Sequence, residues 1–518
     1  MRYLVDSQRM RKYDRNTSEY YGISTEVLME RASLSVADVI CSYLQEKGVK
    51  RRYRVLVIAG VGNNGGDGIC IARLLMQRGF IVSMTVVGDY TKSSDLLLKQ
   101  LSICEKYGLT TDTFSNVRDN KNPSQWDIIV DAMFGIGLSR TVSGSYAEAV
   151  EYIAACKEER QDDLLVVSVD MPSGINADTG AVCGCAVKAD ITVTFNQYKL
   201  GHVLYPGCEY TGKLMVKDAG ITDESFLSDF PRAFCYDENP KELLPVRDPD
   251  SNKGSNGKVL IIAGSKRISG ACILAATACL KSGAGMVRIF TACENAEAVK
   301  ALLPEALLDV YEDFEPCADK LKEALKWSTQ AVIGPGIGTE GKGIELVDTV
   351  LSCYDKDLVM DADALNIIAA DEILKAKASE YTRGNKKLII TPHLAEFARL
   401  FGRDVKDCKD HILEYPSELA SKMHCTVVCK DARTVVADSN EKKIYINVSG
   451  NDGMATAGSG DVLAGILGAL TNSFKSGFES ACVGTYIHGI AGDRAAAKIG
   501  KYSMVASDIT GELAEILR

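Results

Sequence analysis

The chain has 518 residues, more than one domain usually holds, so two domains of about 200–280 residues each are expected. At 46% hydrophobic and 25% charged, with 45 glycines against 12 prolines, its composition excludes disorder, collagen and coiled coil as the main state. With 59 Lys and Arg against 69 Asp and Glu the net charge is −10, which argues against a surface built to neutralise a nucleic-acid backbone.

The opening MRYLVDSQRMRKYDRN has no apolar segment of signal-peptide length, and no run of about 18 uncharged apolar residues follows it. A cytoplasmic protein with neither a nucleic-acid nor a membrane partner is expected. Seventeen cysteines spread from Cys41 to Cys482 without a CxxC read as buried free thiols. The five histidines (His202, His393, His411, His424 and His488) are too dispersed for a structural zinc site.

In chain order, apolar residues from Leu28 to Leu44 recur at three- and four-residue steps and predict a helix over Ser24–Lys47. Aliphatic runs then predict strands at Val55–Ala59, Ile81–Val87, Ile128–Asp131, Leu164–Val169 and Ile191–Phe195, separated by helical segments. Fully apolar strands alternating with helices imply a parallel sheet covered on both faces. The pattern lapses between Asp218 and Asn256, where Pro231, Pro240, Pro245 and Pro249 fall. It restarts with a strand at Lys258–Ala263, a small-residue helix over Gly270–Ser282, and strands near Val287–Phe290, Ala331–Ile333, Leu358–Asp361, Leu388–Thr391 and Thr426–Cys429. A run of helices to the C-terminus is expected after these. Two α/β domains in tandem result, each with its own first strand and glycine loop.

The first strand is followed by Gly60-Val-Gly62-Asn63-Asn64-Gly65-Gly66-Asp67-Gly68 and a helix through Arg78, so free N–H groups at a helix start are offered to an anion. Gly60, Gly62 and Gly65 satisfy GxGxxG, with Asp89 about 24 residues on as a ribose-binding acid. Asp67, however, sits where a pyrophosphate would lie and would repel it unless a cation or another ligand pose intervenes. Two further strand ends carry Asp131-Ala-Met-Phe-Gly135-Ile136-Gly137 and Asp170-Met-Pro172-Ser173-Gly174. In a parallel sheet these ends face one crevice, so Asn64, Asp131 and Ser173 can converge as oxygen ligands for a monovalent or divalent cation, leaving Asp170 for proton transfer. The alternative is that Asp131 and Asp170 only cap the turns that follow them.

GNNGGDG, DAMFGIG and DMPSG together resemble the N-terminal domain of the NAD(P)HX epimerases, over roughly residues 1–220. The resemblance implies a hydrated nicotinamide nucleotide bound by Asn63, Asn64, Gly65, Gly66 and Asp67 and by Gly135, Ile136, Gly137, Leu138, Ser139, Arg140 and Thr141. It further implies Asp170 at the reacting ring and K⁺ held by Asn64, Asp131 and Ser173.

In the second half, Gly334-Pro-Gly336-Ile-Gly338, Asp361-Ala-Asp363-Ala-Leu-Asn366 and Thr391-Pro392-His393 each follow a strand, again at ligand-binding ends. Ala457-Gly458-Ser459-Gly460-Asp461 runs straight into an apolar helix, with backbone N–H groups open to an anion and Asp461 in the first turn. Asp461 reads as a base that takes a hydroxyl proton while the anion hole holds a phosphoryl group, or as a carboxylate that merely complements the helix dipole. No GxxxxGK[ST] is present, so this is not a P-loop protein.

Residues 245–518 resemble the ribokinase-like superfamily through Gly458-Ser459-Gly460-Asp461. Through GPGIG, DADALN, TPH, KDART and AGSGDVLAG they resemble its ADP-dependent NAD(P)HX dehydratases. This implies Lys430, Asp431, Ala432, Arg433, Thr434 and Gly460 at the adenine nucleotide, and Ala271, Gly338, His393 and Asp461 at the hydrated substrate. Mg²⁺ bridging the phosphates of ADP is expected with it. The sequence departs from the family at Ala395, where a glycine is usual; alanine is tolerated there if the turn is helical.

The combined expectation is an N-terminal Rossmann-like three-layer sandwich (1–220, epimerase), a linker (221–250) and a C-terminal ribokinase-like three-layer sandwich (251–518, dehydratase) in a homo-oligomer. Its substrates would be NADHX or NADPHX, and ADP. Two rivals are a ribokinase-like kinase of a vitamin alcohol fused to a nucleotide-binding module, and a non-catalytic nucleotide sensor.

Overall fold

The computed structural model describes residues 1–48, 52–120, 122–382 and 386–518. The chain divides into two compact units, Arg2–Arg232 and Ala233–Arg518, the latter together with Met1. The boundary falls inside the segment expected as a linker, and that segment is folded. Ile221 and Phe226 are buried with Val5, Met10 and Tyr13 in the first unit, while Tyr236, Leu243 and Leu244 pack on the helical core of the second.

In the first unit, strands β1 (Arg2–Val5), β2 (Arg54–Ala59), β3 (Ile81–Val86), β4 (Thr111–Thr113), β5 (Ile128–Ala132), β6 (Leu165–Val169), β7 (Ile191–Phe195), β8 (Tyr198–Lys199) and β9 (Lys213–Lys217) follow in chain order. Seven of them form a parallel sheet in the order β4-β3-β2-β5-β6-β7-β9, and β1 pairs with β8. Alternate residues of β2 feed opposite faces. Val55, Val57 and Ala59 pack under helices Thr25–Glu46, Asn63–Gln77 and Asp95–Lys106, whereas Leu56 and Ile58 pack under Phe114–Asn120 and Ser145–Arg160. Two cores on one sheet make the expected three-layer sandwich.

The second unit contains β10 (Ala233–Cys235), β11 (Lys258–Ile262), β12 (Met286–Ala292), β13 (Leu307–Tyr311), β14 (Gln330–Ile333), β15 (Asp357–Met360), β16 (Leu388–Ile390), β17 (Thr426–Cys429), β18 (Val435–Asp438) and β19 (Ile444–Ile446). Their order is β13-β12-β11-β14-β15-β16-β17-β18-β19-β10. Pairing is parallel except that β18 runs antiparallel to both its neighbours. The run of helices expected after Cys429 is thus preceded by two strands. They are short, and Lys430–Thr434 between β17 and β18 is the loop of a hairpin, a turn signal that the sequence reading did not use. The C-terminal helices then follow: Ser459–Leu470, Gly477–Ile499 and Ala506–Ile516, packed with Gly270–Lys281.

Strand order reverses between β2 and β5 in the first sheet and between β11 and β14 in the second, and such switch points open a crevice at the carboxyl ends of the strands. Both are lined by glycine. A β-carbon on Gly60 would overlap the Met133 carbonyl, and the Gly264 N–H donates to the Pro335 carbonyl at 2.8 Å. All seventeen cysteines are free, most of them buried. Among the described residues no helix is long and apolar enough to cross a membrane.

Candidate active sites

The first crevice holds a cavity of about 170 Å³ whose lining includes Asn63, Asp67, Ile136, Asp170 and Lys199, with Met10, Arg11 and Asp14 from helix Ser7–Arg15. Asn63 to Asp67 form the opening turn of helix Asn63–Gln77 after Gly62, as the motif predicted. Gly65 lies against the Gly60 carbonyl, so the strand-to-helix turn closes tightly only because Gly65 has no side chain.

Asp170 sits at φ +65°, a left-handed conformation that costs a non-glycine residue energy and must be held by its surroundings. The fully buried Lys199 ammonium donates to Asp170 Oδ1 at 2.7 Å and to Thr194 Oγ1 at 2.7 Å, and Thr194 Oγ1 in turn donates to Asp170 Oδ1 at 3.0 Å. His202 secures the backbone. Its Nδ1 accepts the Lys199 N–H at 3.0 Å, so Nε2 carries the proton and donates to the Asp170 carbonyl at 2.8 Å. Burial, then the Lys199 charge, pushes the His202 pKa down to about 4, which keeps the ring neutral. Burial alone would push the Asp170 carboxyl up, but the Lys199 ammonium and its hydrogen bond outweigh this and hold it below the ordinary carboxylate value. Asp67 goes the other way: burial, then the nearby charges of Asp170 and Asp14, raises its pKa well above the usual range. The shift acts against the charge whose repulsion was anticipated at Asp67.

Asp131 is wholly buried at the end of β5. Oδ1 accepts Ser173 Oγ–H at 2.6 Å, and Oδ2 accepts Ser168 Oγ–H at 2.8 Å and Ser173 N–H at 2.9 Å. Burial raises its pKa despite these bonds. Among the described residues Asn64 Nδ2 is buried without a partner, and a β-carbon on Gly135 would stand 3.2 Å from both Asn64 Oδ1 and Asp170 Oδ2. Asn64 and Asp170 thus converge on Gly135, with Asp131 and Ser173 joined behind. Among the described residues no group of three or more His, Cys, Asp and Glu side chains is placed to hold a metal. Of the loop expected at the substrate, Ile136 lines the cavity and Leu138 is buried, while Ser139, Arg140 and Thr141 face outward.

In the second crevice, Gly458 at φ +89° starts helix Ser459–Leu470. A β-carbon on Gly460 would stand 3.3 Å from Lys430 Nζ and 3.6 Å from Asp361 Oδ2, so the backbone lies open beside an ion pair. Lys430 Nζ donates to Asp361 Oδ1 at 2.7 Å, as does Thr391 Oγ1 at 2.7 Å, and Asp361 Oδ2 is buried with no partner among the described residues. Burial, then the Asp361 charge, pushes Asp461 up to about 6, partly offset by Lys430. His393 caps helix Leu394–Phe401, accepting the Ala395 N–H at Nδ1 (3.1 Å), and it pairs in parallel register with Lys430. Burial of Glu396 behind it raises that carboxyl to about 7. The Gly338 N–H donates to Asp363 at 2.8 Å, and Ala271 packs against Gly336. Asp431 to Thr434 turn back on themselves, with Thr434 Oγ1 donating to the Asp431 carbonyl at 3.3 Å.

Two family models match the chain: one described as YjeF-related protein N-terminus over residues 25–201, the other as NAD(P)H-hydrate dehydratase over residues 259–515. A protein of Thermofilum pendens named bifunctional NAD(P)H-hydrate repair enzyme Nnr is 36% identical, the match covering 98% of this chain and 94% of that one. The chain belongs to the bifunctional NAD(P)H-hydrate repair enzymes. A second repair enzyme of that name, from Moorella thermoacetica, is 35% identical over 100% of this chain and 97% of its own. Among solved structures, a ribokinase-like superfamily protein of Enterococcus faecalis is 28% identical with a TM-score of 0.50, covering 56% of this chain and 96% of that one.

Within this repair-enzyme frame, Ala395 is explained by its place in the first turn of a helix, where no positive φ is required. Sequence reasoning missed Lys199, Thr194 and His202, which hold Asp170, and Arg11 and Asp14, which line its cavity. Lys199 and His202 follow β7, the strand beside Asp170, and that position was the one available signal. Asp361 was quoted with its motif but given no role.

Proposed function

We propose that the chain repairs hydrated nicotinamide nucleotides in two steps: the first unit interconverts (R)- and (S)-NAD(P)HX, and the second dehydrates the S epimer to NAD(P)H with ADP, releasing AMP and phosphate. The observation that carries this reading is one differentially tuned carboxylate set in each switch-point crevice. Asp170, which Lys199 holds below the ordinary carboxylate value, serves as base in the first; Asp67 on the same cavity, which burial shifts the other way, would serve as its acid. In the second, Asp461 takes the proton of the substrate hydroxyl as that oxygen attacks the terminal phosphoryl group of ADP. Phosphorylation turns a poor leaving group into a good one, and loss of phosphate with a neighbouring proton restores the ring.

The open backbone at Gly458–Gly460 and the Lys430 ammonium face the phosphates, while the Lys430–Thr434 hairpin loop borders the nucleotide. Ala271, Gly338 and His393 form the substrate side. A potassium ion would be held by the oxygens of Asn64, Asp131 and Ser173, since the wholly buried Asp131 carboxylate has no cationic partner among the described residues; bound, it would supply positive charge beside an anionic substrate. Asp361 Oδ2, buried and unpartnered beside Gly460, fits Mg²⁺, which would neutralise phosphate charge. The test is Asp461→Asn. Dehydration is expected to fall by about 10²–10⁴-fold with nucleotide affinity kept, and unchanged turnover would overturn the role. A vitamin-alcohol kinase would instead accumulate a stable phosphorylated alcohol.

A further inference from the structure

Deepening the epimerase reading on which it rests, we infer that Arg11 binds the pyrophosphate of the hydrated dinucleotide. Helix Ser7–Arg15 lies before the matched residues 25–201 and carries no motif, yet it closes one side of the cavity with Met10, Arg11 and Asp14. Of its other cations, Arg9 pairs with Asp6 at 2.6 Å and Lys12 with Asp229 at 2.7 Å, while Arg15 does not line the cavity. Lys199, the second cation on the cavity wall, is committed to Asp170. Among the described residues Arg11 has neither an ion-pair nor a hydrogen-bond partner, although Asp14 lies one turn further along its own helix.

The guanidinium is aimed at the glycine loop. A β-carbon placed on Gly137 would stand 3.4 Å from Arg11 Nη2, just as one on Gly135 would stand 3.2 Å from Asp170 Oδ2. The loop therefore has the base at one end and a free guanidinium at the other. Two residues of chain reach at most about 7 Å, the span of the single ribose that links a nicotinamide ring to its first phosphate. With the ring at Asp170, the phosphates come to Gly137, where a planar fork can hold two oxygens at once.

The test compares the full chain with Arg11→Gln and Arg11→Lys on (R)-NADHX, which has no 2′-phosphate, and on the hydrate of reduced nicotinamide riboside, which has none at all. Arg11→Gln is expected to raise KM for NADHX about 10–100-fold with kcat little changed and to leave the phosphate-free substrate unaffected, with Arg11→Lys intermediate. Inorganic pyrophosphate, titrated by calorimetry, is expected to bind the wild-type chain and to bind Arg11→Gln more weakly by a similar factor. Unchanged KM for NADHX, a loss confined to NADPHX, or an equal loss on the phosphate-free hydrate would overturn the assignment. If the wild-type chain binds pyrophosphate through Arg11 but epimerises no hydrate, the epimerase reading fails and the subsite stands; if it epimerises and Arg11→Gln matches it in both assays, the subsite fails.

Discussion

Asp170 opens a glycine-containing turn and Asp461 follows one, yet it is their surroundings that set them apart. Asp170 has a buried ammonium at 2.7 Å, whereas Asp461 shares its crevice with Asp361 and is pushed up to about 6. A base works only when ionised, so the dehydratase rate is expected to be full above pH 6 and lost as pH falls through about 6, read from kcat/KM against pH. The acid limb of the epimerase is expected at lower pH, because Lys199 holds Asp170 below the ordinary carboxylate value. Coincident limbs would contradict the assignment. Replacing Lys199 by Met is expected to move the epimerase limb upward, since burial would then act unopposed. None of this tuning was legible in the sequence. DMPSG points to Asp170, but the residues that hold it stand 24 to 32 positions later and carry no motif, being brought in by the pairing of β6 with β7.

At the scale of elements, the glycine turns were the most legible feature because only glycine satisfies the contacts they make. A methyl on Gly65 would overlap the Gly60 carbonyl, so Gly65→Ala is expected to cost about 1–3 kcal/mol in urea unfolding, together with epimerase activity. Gly511, exposed within helix Ala506–Ile516 with nothing near its missing side chain, is the counterpart. There Gly511→Ala is expected to stabilise by up to about 1 kcal/mol. The parallel strands were equally plain, since burial on both faces makes them apolar throughout. β18 and β19 escaped because three or four residues carry too little pattern to separate a hairpin from the start of a helix, and the Lys430–Thr434 loop between β17 and β18 was read only as a nucleotide motif. The segment 221–250 escaped for the opposite reason: its prolines and charges look like a linker, yet Phe226 and Phe234 anchor it on either side of the boundary.

For the whole molecule, an acidic chain with net charge −10 is expected to bind anionic dinucleotides by local means, through helix starts and the Lys430 and Arg11 proposed at the phosphates. Each unit holds a complete set of reacting groups, so the two activities are expected to be separable by single substitutions and restored by mixing the two variants, with the hydrate diffusing between them. The most direct test supplies an equal mixture of (R)- and (S)-NADHX with ADP and follows the near-ultraviolet absorbance of the reduced nicotinamide. The wild-type chain should recover both epimers rapidly. Asp170→Asn should recover the S half at the wild-type rate and the R half only as fast as it epimerises unaided, and Asp461→Asn should recover neither. Rapid recovery of both halves by Asp170→Asn, or of either half by Asp461→Asn, would contradict the account.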